Sequence, residues 1–178
     1  AHLIGDEPFI YTYADDLMVA SPNCFQQMID LHMEFQGGIF PCIKVTEDEE
    51  FHRYGMLGGD QIRDDVIKMT RIIEKPGRAA SPSNLAGVGG CLLTPDVFSY
   101  LEKGLQNLKP GQEFHLTDCI IQPMLQDGKN FYGCEIKNNT RYDTGTTLEY
   151  LKTVVNFALS RDDIGADFRK YLEQLIRK

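Results

Sequence analysis

Apolar runs of two kinds alternate along this chain: short, continuous and β-branched, or spaced at helical period. Phe9-Ile10-Tyr11-Thr12-Tyr13 reads as a buried strand that ends at Ala14-Asp15-Asp16. Ser21-Pro22 is expected to open a helix, with serine as its N-cap and proline in the first turn. Phe25, Met28, Ile29, His32 and Phe35 form its apolar face, and Gly37-Gly38 stops it. His32 on that face reads as a packed core histidine rather than a ligand. Residues 39–46 form the next strand, where Pro41 points to an edge or a bulge. A short charged helix is expected between Thr46 and Arg53, then strands over 54–59 and 66–74 joined by the acidic turn Asp60–Asp65.

The second of those strands ends in Arg71-Ile72-Ile73-Glu74-Lys75-Pro76-Gly77, where proline lacks a ladder N–H and glycine accepts turn dihedrals. Residues 84–93 read as a strand interrupted by Gly87, Gly89 and Gly90, which implies close approach of something, another backbone included. Thr94-Pro95 is expected to cap a helix bearing Val97, Phe98 and Leu101. Thr117 is expected to cap another, with Ile120, Ile121, Met124 and Leu125 on its buried face. A strand over 129–137 leads to the acidic turn Arg141-Tyr142-Asp143-Thr144-Gly145. Two helices close the chain, one carrying Leu148, Leu151, Val155 and Leu159, the other Phe168, Leu172, Leu175 and Ile176, ending in basic Arg177-Lys178. The pattern predicts one α/β domain over residues 1–178, with a mixed, mostly parallel sheet flanked by helices.

Composition narrows the function. The 178 residues are 42% hydrophobic and 25% charged, enough for a sizeable core. A net charge of -8, spread along the chain, argues against nucleic acid as a partner. It leaves room for a phosphorylated small molecule, because a few local cations or a bound metal dominate a site. The five cysteines are odd in number, widely spaced and in no C-x-x-C pair, which reads as reduced core thiols of a cytoplasmic protein rather than a disulfide framework or zinc site. No apolar stretch approaches bilayer length and no signal sequence is read, so no membrane partner is expected.

Three places carry candidate chemistry. Asp15 and Asp16, paired at a strand's carboxyl end, suit Mg²⁺, which takes one or two carboxylates plus substrate phosphates; they equally suit a turn cap. Gly55 lets backbone approach a ligand, or simply makes a turn. Glu74 can accept hydrogen bonds from sugar hydroxyls and Lys75 can meet a phosphate as a point charge, against the plainer reading of a solvated turn.

Taken in order, several segments resemble the bacterial UTP–glucose-1-phosphate uridylyltransferases, or UDP-glucose pyrophosphorylases, within the sugar-phosphate nucleotidyltransferases. They are Ile4-Gly5-Asp6-Glu7-Pro8-Phe9, Asp15-Asp16, Arg53-Tyr54-Gly55, Ile73-Glu74-Lys75-Pro76 and Pro82-Ser83-Asn84-Leu85-Ala86. Leu93-Thr94-Pro95, Leu116-Thr117-Asp118, Arg141-Tyr142-Asp143-Thr144-Gly145 and Tyr150-Leu151-Lys152 complete the series. The resemblance implies a Rossmann-like nucleotide-diphospho-sugar transferase fold. It also implies Mg²⁺-dependent transfer of a uridylyl group from UTP to glucose 1-phosphate, giving UDP-glucose and pyrophosphate. By position it makes Asp15 a metal ligand in the catalytic centre, Lys75 a catalytic contact to the sugar's phosphate, and Glu74 the holder of sugar hydroxyls. Gly55, Asn84 and Gly87 would line the sugar pocket, and Asp143 sits where the related thymidylyltransferases place a second metal ligand.

The departures from that family matter equally. Its glycine-rich G-x-G-T-R loop, with the lysine that follows, has no counterpart in this sequence, nor have its base-reading residues and the opening strands of its sheet. Ala14 stands where the family usually has glycine, Gly87-Val88 replaces bulkier residues and His115 a common glutamine. One expectation is the sugar-phosphate and Mg-binding part of a longer or complemented uridylyltransferase, inactive alone. The other is a truncated, non-catalytic relative that keeps the half-site or self-associates as a homo-oligomer through exposed strand edges. Asp143-Thr144-Gly145-Thr146 is also similar to the thymidylyltransferase branch, so glucose-1-phosphate thymidylyl transfer is the alternative chemistry.

Overall fold

The computed structural model describes residues 2–177, so the reading of Lys178 lies outside the described residues. In chain order the first elements are β1 (Phe9–Thr12), β2 (Asp16–Ala20), α1 (Cys24–Phe35), β3 (Gly38–Lys44), β4 (Gly55–Arg63) and β5 (Val66–Glu74). Then come β6 (Leu85–Gly87), β7 (Gly90–Leu93), α2 (Val97–Asn107), α3 (Gln122–Gln126) and β8 (Phe131–Glu135). The last are β9 (Asn139–Asp143), α4 (Thr147–Leu159) and α5 (Gly165–Ile176).

Seven strands form one sheet in the order β1-β7-β3-β6-β4-β5-β8, and β8 also pairs with β3, so five of them close a circuit. The α/β class and the mixed sheet hold. The expectation of mostly parallel strands does not: β3 and β8 pair in parallel, while every other pairing described is antiparallel. The reason lies in the connections. Antiparallel neighbours need only a short turn, and β4–β5 have one; β3 and β8, separated by helices, meet the requirement for a parallel crossover. The β4–β5 turn is tighter than expected, since β4 continues through Asp60 to Arg63, and irregularities at Gly58/Gly59 and Gln61/Arg63 bend the hairpin.

Local chemistry explains other differences. Asn23, not Ser21, caps α1: its side-chain oxygen accepts from the Phe25 N–H at 2.8 Å, leaving Ser21-Pro22 outside the helix. Pro41 sits in a central strand rather than at an edge. Its carbonyl accepts from Val88 N–H, so its missing N–H falls where the neighbouring strand is interrupted between β6 and β7. The charged segment before Arg53 forms one 3-10 turn, Glu50–His52. His32 is half-buried and its Nδ1 lies 2.7 Å from the Gly37 carbonyl, as a packed histidine should.

The glycines at residues 87–90 do admit a close approach. A Cβ at Gly90, where φ is +117°, would overlap the Tyr11 carbonyl oxygen, so the approaching group is the β1 backbone. The larger apolar cluster joins Phe40, Leu57, Ile72, Ile121, Met124 and Phe131 beneath the sheet; a second, with Met28, Leu31 and Ile39, packs α1 on the other side. β2 and β9 form a separate two-stranded ribbon. Above it the Tyr142 and Phe157 rings pack at 5.1 Å, tying α4 to β9, while Leu148 and Leu151 of the expected buried face are exposed. No helix among the described residues is long and apolar enough to cross a membrane.

Candidate active site

A cleft of about 430 Å³ opens where the carboxyl end of β5, the start of β4 and the β2–β9 ribbon meet. Its β5 wall follows from strand alternation: Ile72 and Glu74 share a face, so the apolar residue enters the core and the carboxylate meets the cleft. Gly55 is directly opposite Glu74 in register. A Cβ at Gly55 would lie 3.2 Å from Glu74 Oε2 and 3.1 Å from Thr117 Cγ2, so any side chain would crowd the carboxylate.

Thr117 does not cap a helix. It begins a π-helical turn, Thr117–Ile121, closed by a bond from Gln122 N–H to the Thr117 carbonyl. This turn grips the end of β5 twice: Thr117 Oγ1 donates to Glu74 Oε2 at 3.0 Å, and Gln122 Oε1 accepts from Ile72 N–H at 3.0 Å. Glu74 is therefore oriented before any ligand arrives. Lys75 Nζ lies 3.5 Å from Glu74 Oε1, and its backbone occupies the left-handed region at φ 45°, its N–H bonded to the Tyr54 carbonyl. A lysine there is strained, and such strain gathers at functional sites.

On the opposite wall, the two adjacent aspartates part company. Asp16 is consumed internally: Arg141 donates to it from Nε at 2.7 Å and from Nη2 at 2.8 Å, and Gly89 N–H adds a third bond at 2.8 Å. Both members of this pair are largely buried, 14% and 12% exposed for Arg141 and Asp16. Burial opposes the Arg141 charge, but hydrogen bonds from it to Asp16 and Tyr54 outweigh that and hold the guanidinium well above arginine's ordinary pKa. Asp15, by contrast, is exposed, and among the described residues no side chain bonds its carboxylate. Its backbone is pinned instead, the carbonyl accepting from Thr144 N–H at 2.7 Å and Thr144 Oγ1 at 2.9 Å.

Asp143 pairs with Asp16 in the β2–β9 register and shares a strand face with Arg141. Its Oδ2 accepts from Arg53 Nη2 at 2.9 Å and from Tyr54 OH at 3.3 Å, while Oδ1 takes the Gly145 N–H at 3.1 Å. Tyr54 OH in turn accepts from Arg141 Nη1 at 3.1 Å. A Cβ at Gly145 would lie 3.2 Å from Asp143 Oδ1 and 3.5 Å from Asp15 Oδ2, so the two carboxylates flank one position. That pair suits a hard divalent cation taking one or two carboxylates and leaving its other positions to phosphate and water. No group of three or more His, Cys, Asp or Glu side chains that could hold a metal gathers among the described residues.

Of the residues singled out from sequence, Asp15, Gly55, Glu74, Lys75, Gly87 and Asp143 all line this cleft. Asn84 does not; it is exposed on the turn before β6, its carbonyl accepting from Val45 N–H at 2.9 Å. Gly87 has room for a methyl, the nearest atom to an added Cβ being Phe40 Cδ1 at 3.5 Å. Arg53, Tyr54 and Arg141 had no role in the sequence reading, and Thr117 had only that of a helix cap. For three of them the signal was adjacency: Arg53 and Tyr54 immediately precede Gly55, and Arg141 sits two residues before Asp143.

Comparison with solved structures first fixes the fold. The chain superposes on a UDP-glucose pyrophosphorylase complexed with UDP-glucose with a TM-score of 0.77 at 31% identity, over 90% of this chain and 59% of that one. A UTP-bound enzyme from Acinetobacter baumannii gives a TM-score of 0.81 at 26% identity, over 98% and 59%. The family follows from sequence. The nucleotidyl transferase family model matches residues 1–159, and the chain belongs to that family. It is 31% identical over 172 residues to the UTP–glucose-1-phosphate uridylyltransferase of Staphylococcus epidermidis, covering 97% of this chain and 58% of the relative. The chain thus spans a little under three fifths of the curated relative's length.

Proposed function

We propose that this chain supplies the sugar-phosphate and Mg²⁺-binding side of a uridylyltransferase that makes UDP-glucose and pyrophosphate from UTP and glucose 1-phosphate. The observation that carries this reading is the convergence of Glu74, Lys75, Asp15 and Asp143 on one cleft in a chain of the nucleotidyl transferase family. Relatives with the same fold are described with UDP-glucose and with UTP bound.

In this reading Glu74, fixed by Thr117, accepts from the sugar hydroxyls, and Lys75 meets the sugar's phosphate as a point charge. An oxygen of that phosphate attacks the α-phosphorus of UTP as the bond from that phosphorus to the pyrophosphate oxygen breaks, and pyrophosphate leaves. Holding the two phosphates in line supplies most of the acceleration. A divalent ion at Asp15 and Asp143 would neutralise the crowded phosphates. The sequence has no G-x-G-T-R loop, so donors for the nucleotide phosphates come from a longer or complementary polypeptide, and turnover is assigned to that assembly.

Calorimetric titration with glucose 1-phosphate and UDP-glucose, with and without Mg²⁺, tests this half-site directly. Mg²⁺-dependent binding that Asp15→Ala abolishes is the expected result. A folded chain that binds neither compound at millimolar concentration refutes the assignment.

A further inference from the structure

Three cations face the cleft, Arg53, Lys75 and Arg141, against four carboxylates, Asp15, Asp16, Glu74 and Asp143. Each cation is already paired: Arg141 with Asp16 and, at 3.6 Å, with Asp143, Arg53 with Asp143 at 2.9 Å, and Lys75 with Glu74. A phosphate dianion entering this cleft therefore meets more carboxylates than cations and, among the described residues, no unpaired cation. Something must release a cation for it.

The three are not equally releasable. Arg141 is buried and held by a fork of bonds to Asp16 and another to Tyr54. Lys75, 50% exposed and 3.5 Å from Glu74, is already assigned to the sugar's phosphate, so any further cation comes from an arginine. Arg53 is 53% exposed and holds Asp143 through one nitrogen, with its guanidinium 5.4 Å from the Tyr54 ring centre. A half-exposed ion pair of that kind contributes little to stability. Asp143 does not need it for orientation either, because Tyr54 OH and the Gly145 N–H still hold the carboxylate. Arg53 also carries the planar fork that matches phosphate oxygens in pairs.

Resting on the metal reading of Asp15 and Asp143 above, we propose that Arg53 is a displaceable phosphate ligand. It is parked on Asp143 in the free protein and transferred to the sugar's phosphate when a divalent ion takes that carboxylate. Arg53 and the ion are then competitors, and the ion and the phosphate ligand are cooperative. By linkage each raises the other's affinity by the same factor. Parking Arg53 on Asp143 offsets that carboxylate while the metal is absent, and its release delivers the further positive charge only when both ligands are at hand.

The test is titration of the chain with Mn²⁺, followed by electron paramagnetic resonance or calorimetry, and with glucose 1-phosphate in the presence and absence of Mn²⁺. Arg53→Ala should bind Mn²⁺ alone about tenfold more tightly, the effect of removing one positive charge about 6 Å from a divalent ion at water-like screening. The same variant should bind glucose 1-phosphate in saturating Mn²⁺ about tenfold more weakly, by loss of one charge-assisted pair of bonds. Arg53→Gln, which keeps a polar stem without the charge, should move both affinities the same way, and Arg53→Lys should restore part of the phosphate affinity. A residue with only a structural role would weaken both. If the wild type binds Mn²⁺ through Asp15 and Arg53→Ala leaves that affinity equal or weaker, the proposal about Arg53 is overturned and the metal reading stands. If the wild type shows no Mn²⁺ binding that Asp15→Ala removes, both fall.

Discussion

Lys75 is where the site and the stability of the fold pull apart, and two substitutions measure it. Its backbone at φ 45° is a conformation in which a Cβ crowds the following carbonyl, at a cost of roughly 1–2 kcal/mol. Pro76 restricts the preceding residue further. Lys75→Ala and Lys75→Gly remove the same side-chain contact, the 3.5 Å approach to Glu74, so comparing them isolates the backbone. Alanine keeps the strain. Glycine relieves it but loses roughly 0.4–1 kcal/mol through the greater freedom of its unfolded chain. The difference leaves the glycine variant ahead by roughly 0.5–1 kcal/mol, or about 1–4 °C in Tm for a chain of this size. At an ordinary position the sign is opposite, alanine being the more stable of the two. Urea denaturation followed by circular dichroism gives the comparison. Both variants should lose affinity for glucose 1-phosphate alike, since both lack the ammonium. An alanine variant as stable as the glycine variant would falsify the claim that this lysine is held under strain.

Two further substitutions probe the walls of the cleft. Thr117→Val keeps the shape of the side chain but removes the hydroxyl that fixes Glu74; glucose 1-phosphate should bind about fivefold more weakly, the worth of one hydrogen bond of about 1 kcal/mol, with the melting temperature nearly unchanged. Unaltered affinity in that variant means Glu74 needs no such partner. Arg141→Ala strands the largely buried Asp16 carboxylate and should cost about 3 kcal/mol in chemical denaturation, with Arg141→Lys recovering part of it. A loss below about 1 kcal/mol contradicts the view that this pair is integral to the fold.

The sequence announced the strand that ends in Glu74-Lys75 because its apolar residues, β-branched composition and terminal Pro-Gly all agree. It was less exact about α1, where Met28 of the expected apolar face is buried but Phe25 and Ile29 are exposed, and it left open what approaches the glycines at 87–90. Strand direction was not legible, because alternation of helices and strands in sequence says little once consecutive strands such as β4 and β5 pair through a turn. Thr117 carries the same composition signal whether it caps a helix or bonds to Glu74; only the π turn, a tertiary feature, decides. Asp15 and Asp16 are chemically identical in the sequence. What separates them is β2–β9 pairing, which turns one carboxylate to Arg141 and leaves the other open. Arg53 and Arg141 had no role in the sequence reading for a related reason: their carboxylate partners, Asp143 and Asp16, come from distant strands.

The β2–β9 ribbon also sets a time at which the cleft can exist. Arg141 and Asp16 are 125 positions apart, and Tyr54 bonds to Asp143 across 89. During synthesis the β5 wall, with Glu74 and Lys75 on it, emerges while Asp15 and Asp16 have no partner strand. Closing so long a loop is entropically costly and is recovered only when the whole ribbon zips. The two carboxylates that flank Gly145 therefore meet late, once residues 139–145 have left the ribosome and docked. A nascent chain can own the wall that carries Glu74 and Lys75 well before it owns the pair of carboxylates that faces it, and the meeting of that pair reports that β9 has docked.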